Sequence, residues 1–214
     1  MRLVVSTLTA FLLALVPVAA CAPQASTTGT DGFDMAVQRF LDQRRGTWRD
    51  MNVPEADGRA LRDVIVERGA KRAVEIGTST GLSGIYLAWG LSRTGGRLVT
   101  IEIDAGRHRE AVDNFKAAGV DGLIDARLAD AHVLVPKLEG PIDLVFIDAD
   151  KDWYTAYAKA LIPKLSPGGC LTAHNVRPGG GRWQITGGYH DYVTGLPEFE
   201  TTFRAGVMVS CKRK

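Results

Sequence analysis

The sequence predicts an α/β protein with a largely parallel sheet, layered by helices and closed by an antiparallel hairpin. Three observations predict it. Short apolar runs alternate with helical segments from about Phe33 onward. A glycine-rich turn between Gly77 and Gly84 joins the first run to its helix. The chain has 214 residues, 45% hydrophobic and 23% charged, which suits one globular domain with a full core and would cramp two. Such a composition excludes a disordered or fibrous chain. The balance of 26 basic against 24 acidic residues, net +2, comes with no basic run long enough to track phosphates, so no nucleic-acid partner is expected. Cys21, Cys170 and Cys211 form neither a metal-finger spacing nor a disulfide framework.

Met1-Arg2 opens with a positive charge, and residues 3–20 are almost wholly apolar. The stretch ends Val18-Ala19-Ala20-Cys21, so residues 1–20 resemble a bacterial lipoprotein signal, in which the cysteine is lipidated and becomes the new N-terminus. A plain secretory signal and an uncleaved anchor are the alternatives, the latter at the lower edge of a membrane span. Residues 21–32 are small and polar and read as a flexible tether, leaving 33–214 as the folded domain. Met35, Val37, Phe40 and Leu41 make an apolar stripe after Asp34, a candidate helix cap. A second helix is expected over 54–67, with Pro54 in its first turn, Leu61, Val64 and Ile65 on one face and Gly69 as its stop. Strands follow at 73–76, 98–101, 142–147 and 170–173, with helices at 82–91, 107–118 and 153–165 between them. Segments 198–204 and 207–212 flank Ala205-Gly206 as the closing hairpin. There is no internal repeat.

The first glycine loop discriminates among cofactors. Its glycines fall as G-x-x-x-G-x-x-G, which departs from the dinucleotide pattern G-x-G-x-x-G, and no Lys-Ser/Thr follows to make a phosphate loop. What remains is E-x-G-x-x-x-G, whose Glu75 can meet an ammonium group; the alternative is a glycine turn serving only tight strand–helix packing. Glu102 ends the next strand, where a carboxylate can accept hydrogen bonds from both ribose hydroxyls, and it follows the loop at roughly the 20 to 30 residues such a site requires.

From Met51 to the C-terminus the chain resembles the class I S-adenosylmethionine-dependent O-methyltransferases of the catechol and caffeoyl-CoA type. The matching stretches are Met51-Asn52-Val53, Glu75-Ile76-Gly77-Thr78-Ser79-Thr80-Gly81-Leu82-Ser83, Ala117-Ala118-Gly119-Val120, Phe146-Ile147-Asp148-Ala149-Asp150-Lys151 with Tyr154, Pro167-Gly168-Gly169 and Asn175-Val176. The resemblance implies a Rossmann-like fold with a seven-stranded, mostly parallel sheet, a reversed last strand and helices on both faces. It implies that Gly77 and Thr78 carry the methionine part of S-adenosylmethionine, with Glu75 and Ser83 nearby. Glu102 would take the ribose, Asp130 and Ala131 would flank the adenine, and Asp150 and Val53 would complete the pocket. Asp130 reads equally well as the cap of a helix after Ala131.

By the same resemblance the reaction is methyl transfer to a small-molecule acceptor, a phenolic or catecholic hydroxyl. A phenol, with a reference pKa of about 10, is a poor nucleophile until deprotonated. A divalent cation on that oxygen and a nearby lysine would assist, and the resemblance gives these roles to Asp148 as metal ligand and Lys151 as base. A solvent-facing lysine at a helix start is the alternative for Lys151. After the fifth strand the pattern departs: His174 stands where the family has Asp, followed by the expected Asn175. The metal set Asp148, His174 and Asn175 would shift preference from magnesium toward manganese, iron or zinc. A metal-independent enzyme with His174 as general base and a decayed site are the competing readings. His108, His132 and His190 have no spacing to join His174 and read as surface residues.

The glycine-rich stretch 177–188 reads as a lid beside the site, with Trp183 either a wall for an aromatic acceptor or an anchor for the loop. Export of the chain would conflict with a cofactor made in the cytoplasm: either the signal is misread and the protein is cytoplasmic, or the domain stays cytoplasmic behind an uncleaved anchor, or the exported domain binds something else, and a surface-tethered binding protein on the same scaffold is the second hypothesis. Contact with the membrane is expected only through the N-terminal lipid or signal anchor, and a homodimer is left open. The resemblance also lays the strand beginning at Cys170 antiparallel to the last strand, which carries Cys211. A bridge and two buried thiols are both open, with buried thiols favoured.

Overall fold

The computed structural model describes residues 28–176 and 187–213. The signal-like segment 1–20, most of the expected tether, and residues 177–186 with Trp183 lie outside the described residues. The first helix, α1 (Thr28–Arg44), begins inside the stretch read as tether. Asp34 is therefore within a helix and not its cap. Its carboxylate accepts a 2.7 Å hydrogen bond from the Trp89 indole and pairs with Arg93. Val37 and Leu41 are fully buried beneath α1, whereas Met35 faces outward.

Helix α2 (Glu55–Arg68) starts one residue after Pro54, whose extended ψ makes it the cap, and stops at Gly69 in the left-handed region with φ 64°. Its Leu61, Val64 and Ile65 are buried, each contributing roughly 1.5–3 kcal/mol. The chain then runs β1 (Arg72–Ile76), α3 (Leu82–Thr94), β2 (Arg97–Glu102), α4 (Ala105–Ala118), β3 (Ile124–Leu128), α5 (Ala131–Leu134), β4 (Ile142–Ile147), α6 (Tyr154–Leu161), β5 (Leu165–His174), α7 (Gly187–Thr194), β6 (Phe199–Arg204) and β7 (Val207–Lys212). The expected helix over 153–165 is shorter because Pro163 cannot donate to a helical turn, and the chain tightens into a 3₁₀ turn before β5.

One seven-stranded sheet has the order β3-β2-β1-β4-β5-β7-β6. The first five strands are parallel, and β7 runs antiparallel between β5 and β6. The reversed strand and the hairpin stand as expected. Cys170 and Cys211 face each other across β5 and β7 and form a disulfide, so the bridge holds and the favoured pair of thiols does not. The strand that sequence reading passed over, β3, reads Ile-Asp-Ala-Arg-Leu at the sheet edge and presents no fully buried residue.

The pleat sorts side chains by period two. Val74, Ile76, Val145, Ile147, Leu171 and Ala173 pack with Tyr154, Tyr157 and Val193 of α6 and α7. On the opposite face Ala73, Leu98, Leu144, Phe146, Cys170 and Val209 pack with α2 and α3. Continuing that second alternation to the strand ends brings Glu75, Glu102, Asp148 and His174 to the same face. Strand order reverses between β1 and β4, and the crevice at their carboxyl ends is where such sheets bind ligands.

Candidate functional site

The turn after β1 depends on two glycines in the left-handed region. Gly77 has φ 98°, and a Cβ there would lie 2.8 Å from both the Asp148 carbonyl oxygen and the Ala149 side chain. The loops after β1 and β4 thus meet backbone on side chain with no room between them. Gly81, also at φ 98°, would drive a Cβ to 2.7 Å from the Phe115 ring. The Met51-Asn52-Val53 segment braces this turn: Asn52 donates to the Thr80 hydroxyl at 2.7 Å and accepts from the Leu82 amide at 3.4 Å.

These loops line a cleft of about 320 Å³. Gly77, Glu102, Asp130, Ala131, Asp148, Asp150 and Lys151 all line it. Val53, Glu75, Thr78 and Ser83 are buried and do not line it; His174 and Asn175 also lie outside its wall. The Glu102 carboxylate is shaped by backbone amides: Oε2 accepts from Ser79 at 2.8 Å, and Oε1 from Ile103 and Asp104 at 3.1 and 3.0 Å. A carboxylate has about four acceptor sites, so hydroxyls in the cleft can still bind it.

Glu75 is fully buried behind the turn, and Oε2 accepts a 2.6 Å hydrogen bond from Thr100. Thr100 and Thr78 hydroxyls lie 2.5 Å apart, extending the chain into the loop. Burial pushes the Glu75 carboxyl up to about 8, against the opposing hydrogen bonds from Ser83 and Thr100. Among the described residues its Oε1 has no hydrogen-bond partner, so the backing layer of the turn holds an oxygen unsatisfied by them. Glu75 thus lies beneath the turn and not in the cleft wall.

At the carboxyl ends of β4 and β5 the charged groups interlock. The His174 ring stands between two carboxylates, with Nε2 2.8 Å from Asp57 Oδ2 and Nδ1 3.3 Å from Asp148 Oδ2. Burial acts to lower the His174 pKa, but Asp148 and then Asp57 outweigh it and hold the imidazole above its usual value. Lys151 Nζ donates to Asn175 Oδ1 at 2.7 Å and lies 3.8 Å from Asp148 Oδ1. The buried Tyr154 hydroxyl is 3.4 Å from both Asp148 Oδ1 and the His174 carbonyl oxygen, and burial with the Asp148 charge pushes its pKa well above the usual phenol value. Among the described residues no three His, Cys, Asp or Glu side chains converge as a metal cluster. The candidate donors are two such groups and an amide. Their chemistry fits a cation in one respect: a ligating histidine normally gives its second nitrogen to a carboxylate, and the His174–Asp57 contact has that form.

His132, read as a surface residue, lines the cleft. Its Nε2 is 2.8 Å from Asp150 Oδ2, and its ring stacks on Trp153 with centroids 3.9 Å apart. Asp130 both lines the cleft and caps α5, accepting from the His132 amide at 2.8 Å. His108 reaches the Ala126 carbonyl oxygen and His190 contacts Asp191, both away from the cleft. Sequence reading also passed over Ser79, Arg107 and Tyr157 in the cleft wall, and Asp57 behind it. The position of His132 two residues after a capping aspartate was a usable signal; Asp57 offered none, being 117 residues from His174.

Comparison with known proteins agrees with this geometry. The O-methyltransferase family model matches residues 33–185. A catechol O-methyltransferase of Mycobacterium tuberculosis is 40% identical over 113 residues, 52% of this chain and 51% of that protein. The Niastella koreensis catechol O-methyltransferase is 37% identical over 111 residues, half of each chain, and a Medicago sativa caffeoyl-CoA O-methyltransferase is 31% identical over 134 residues, 60% of this chain and 54% of that protein. The chain thus spans about half the length of the curated relatives it matches. Over the whole fold it is similar to the O-methyltransferase TomG of Streptomyces achromogenes, solved in complex with SAM, with a TM-score of 0.69 and 26% identity, covering 84% of this chain and 90% of that one. With the family match extending over most of the sheet and its glycine turn, the Rossmann-like class I fold is secure, and the chain belongs to the O-methyltransferase family.

Proposed function

We propose that this protein transfers a methyl group from S-adenosylmethionine to the hydroxyl of a small phenolic or catecholic acceptor. The observation that carries the reading is the single cleft in which the Glu102 carboxylate, the Gly77 turn and the Asp148–Lys151 corner meet at the sheet's switch point. Relatives named for catechol and caffeoyl-CoA, and a SAM-bound structural neighbour, support it. S-adenosylmethionine would supply an electrophilic sulfonium methyl. Glu102 would receive its ribose hydroxyls, the Gly77 and Ser79 backbone its amino-acid end, and Asp130, Ala131 and His132 its base. Lys151 lines the same cleft, where its Nζ can hold the acceptor oxygen and, as the neutral amine, take its proton. Holding that oxygen in line with the methyl accounts for much of the rate. Asp148, His174 and Asn175 would hold a divalent cation, which lowers the pKa of a hydroxyl bound to it.

Two variants separate these roles. Glu102→Ala should weaken S-adenosylmethionine binding, measured by calorimetry, by about 1.5–3 kcal/mol, the scale of hydrogen bonds to a charged group. Lys151→Ala should leave that affinity near wild type while lowering kcat toward a catechol at least tenfold. Equal loss of affinity and turnover in both variants would remove the assignment.

A second reading draws on the Cys170–Cys211 disulfide. Structural disulfides persist in oxidising compartments, which supports an exported chain carried by the lipoprotein-like signal of residues 1–20. In that compartment a binding protein on the same scaffold competes with the enzyme. Full-length protein that binds neither S-adenosylmethionine nor S-adenosylhomocysteine in calorimetry would favour the binding protein.

A further inference from the structure

Asp57 belongs to none of the motifs above, yet it is among the most deeply buried charged residues of the fold, at 3% exposure. It sits in the first turn of α2, and each carboxylate oxygen has a committed partner. Oδ2 meets His174 Nε2 at 2.8 Å, and Oδ1 accepts from the Gly206 amide in the β6–β7 turn at 2.7 Å. Gly206 is shaped for this contact, since a Cβ there would fall 2.6 Å from Asp57 Oδ2. Three segments therefore close on one carboxylate: α2, the end of β5 and the C-terminal hairpin.

The consequence for His174 follows from its ring chemistry. An imidazole that donates through Nε2 cannot rotate without leaving the buried Asp57 Oδ2 without its partner, while Oδ1 keeps the Gly206 amide. With Nε2 fixed on Asp57, Nδ1 is fixed toward Asp148 Oδ2, 3.3 Å away. That distance is long for a charge-assisted hydrogen bond and suits two groups turned toward a common point. The family position filled here by His174 thus comes with a partner of its own on α2.

We propose that Asp57 is a positioning residue for this site: it fixes the His174 ring through Nε2 so that Nδ1 serves as a donor to a divalent cation beside Asp148. The cation part rests on the metal-assisted reading given above; the hold on the ring does not. Asp57 acts through His174 and touches neither acceptor nor cofactor.

The test uses the full-length chain, Asp57→Asn and Asp57→Ala, with two readouts. The first is Mn²⁺ affinity by calorimetry in the presence of S-adenosylhomocysteine. Asp57→Asn, which keeps an acceptor oxygen, should weaken Mn²⁺ about tenfold and Asp57→Ala about a hundredfold, the range for losing a carboxylate behind a metal-bound histidine. Affinity for S-adenosylhomocysteine should be unchanged in both. The second readout is ¹⁵N-edited NMR of the metal-free protein, where the wild-type His174 Nε2 should carry a slowly exchanging proton that survives in Asp57→Asn. Wild-type Mn²⁺ affinity preserved in Asp57→Asn, or a His174 ring with no proton on Nε2, would overturn the proposal. A wild-type chain that binds no Mn²⁺ yet shows the protected Nε2 proton would remove the metal reading and uphold Asp57 as the group that fixes the ring. Should Asp57→Ala fail to fold, the Asp57→Asn pair of measurements decides alone.

Discussion

Glu75 shows how one residue's surroundings become a measurable property. Its carboxyl is raised to about 8 by burial, so the folded chain keeps a proton that the unfolded chain releases near its ordinary value of 4.5. Between those values the native state binds more protons than the unfolded one, and stability falls as pH rises. The loss should approach about 1.4 kcal/mol per pH unit within that window and level off above pH 8. Denaturant midpoints of the cofactor-free protein at pH 5, 7 and 8.5 should show this decline, and Glu75→Gln should flatten it and be the more stable form at pH 8.5. An identical pH slope in the variant would mean that another group is responsible. Glu75 was legible as a residue of the glycine loop, but its place beneath the loop was not. Strand parity decides that, and parity relative to the core shows only once the strands are paired.

Among the elements, those legible in sequence have strong local signals. β4 is an unbroken apolar run, and its bounds Ile142–Ile147 are those expected from sequence. α2 is bounded by Pro54 and Gly69, and the hairpin by Ala205-Gly206. β3 has no such signal, because an edge strand with alternating Asp and Arg resembles a loop. The contact of His132 with Asp150 was hidden for a different reason: the pairing crosses from α5 to the turn after β4. At this scale the Cys170–Cys211 bridge makes a second prediction. It ties β5 to β7 across 41 residues of sequence. Replacing both cysteines by alanine should lower unfolding free energy by about 2–4 kcal/mol. Thiol titration of denatured, unreduced protein should find neither Cys170 nor Cys211 free, and two reactive thiols there would contradict the bridge.

For the molecule as a whole, α1 is part of the domain and not an appendage to it. Val37 and Leu41 are buried against Ile85, Tyr86 and Phe115, and Asp34 is tied to Trp89 and Arg93. A chain beginning at residue 45 should therefore lose about 3–6 kcal/mol, the worth of burying two large aliphatic side chains. A chain beginning at residue 28 should match the full-length protein within about 0.5 kcal/mol in urea unfolding. Equal stability of the two shortened chains would place α1 outside the cooperative unit.

The Asp57 contacts set an order in time. Asp57 is made early in synthesis, His174 follows 117 residues later and Gly206 149 residues later. The N-terminal part of a chain emerges first, and loop closure must precede the reward of a distant contact. A nascent chain stopped before β7 could already hold β1, β2, β4 and the cleft side of Glu102, while the carboxylate on α2 still waited for its amide partner. The corner that carries Asp148 and His174 is thus completed only once the β6–β7 turn has been made, after every strand that places Glu102 and Gly77 already exists.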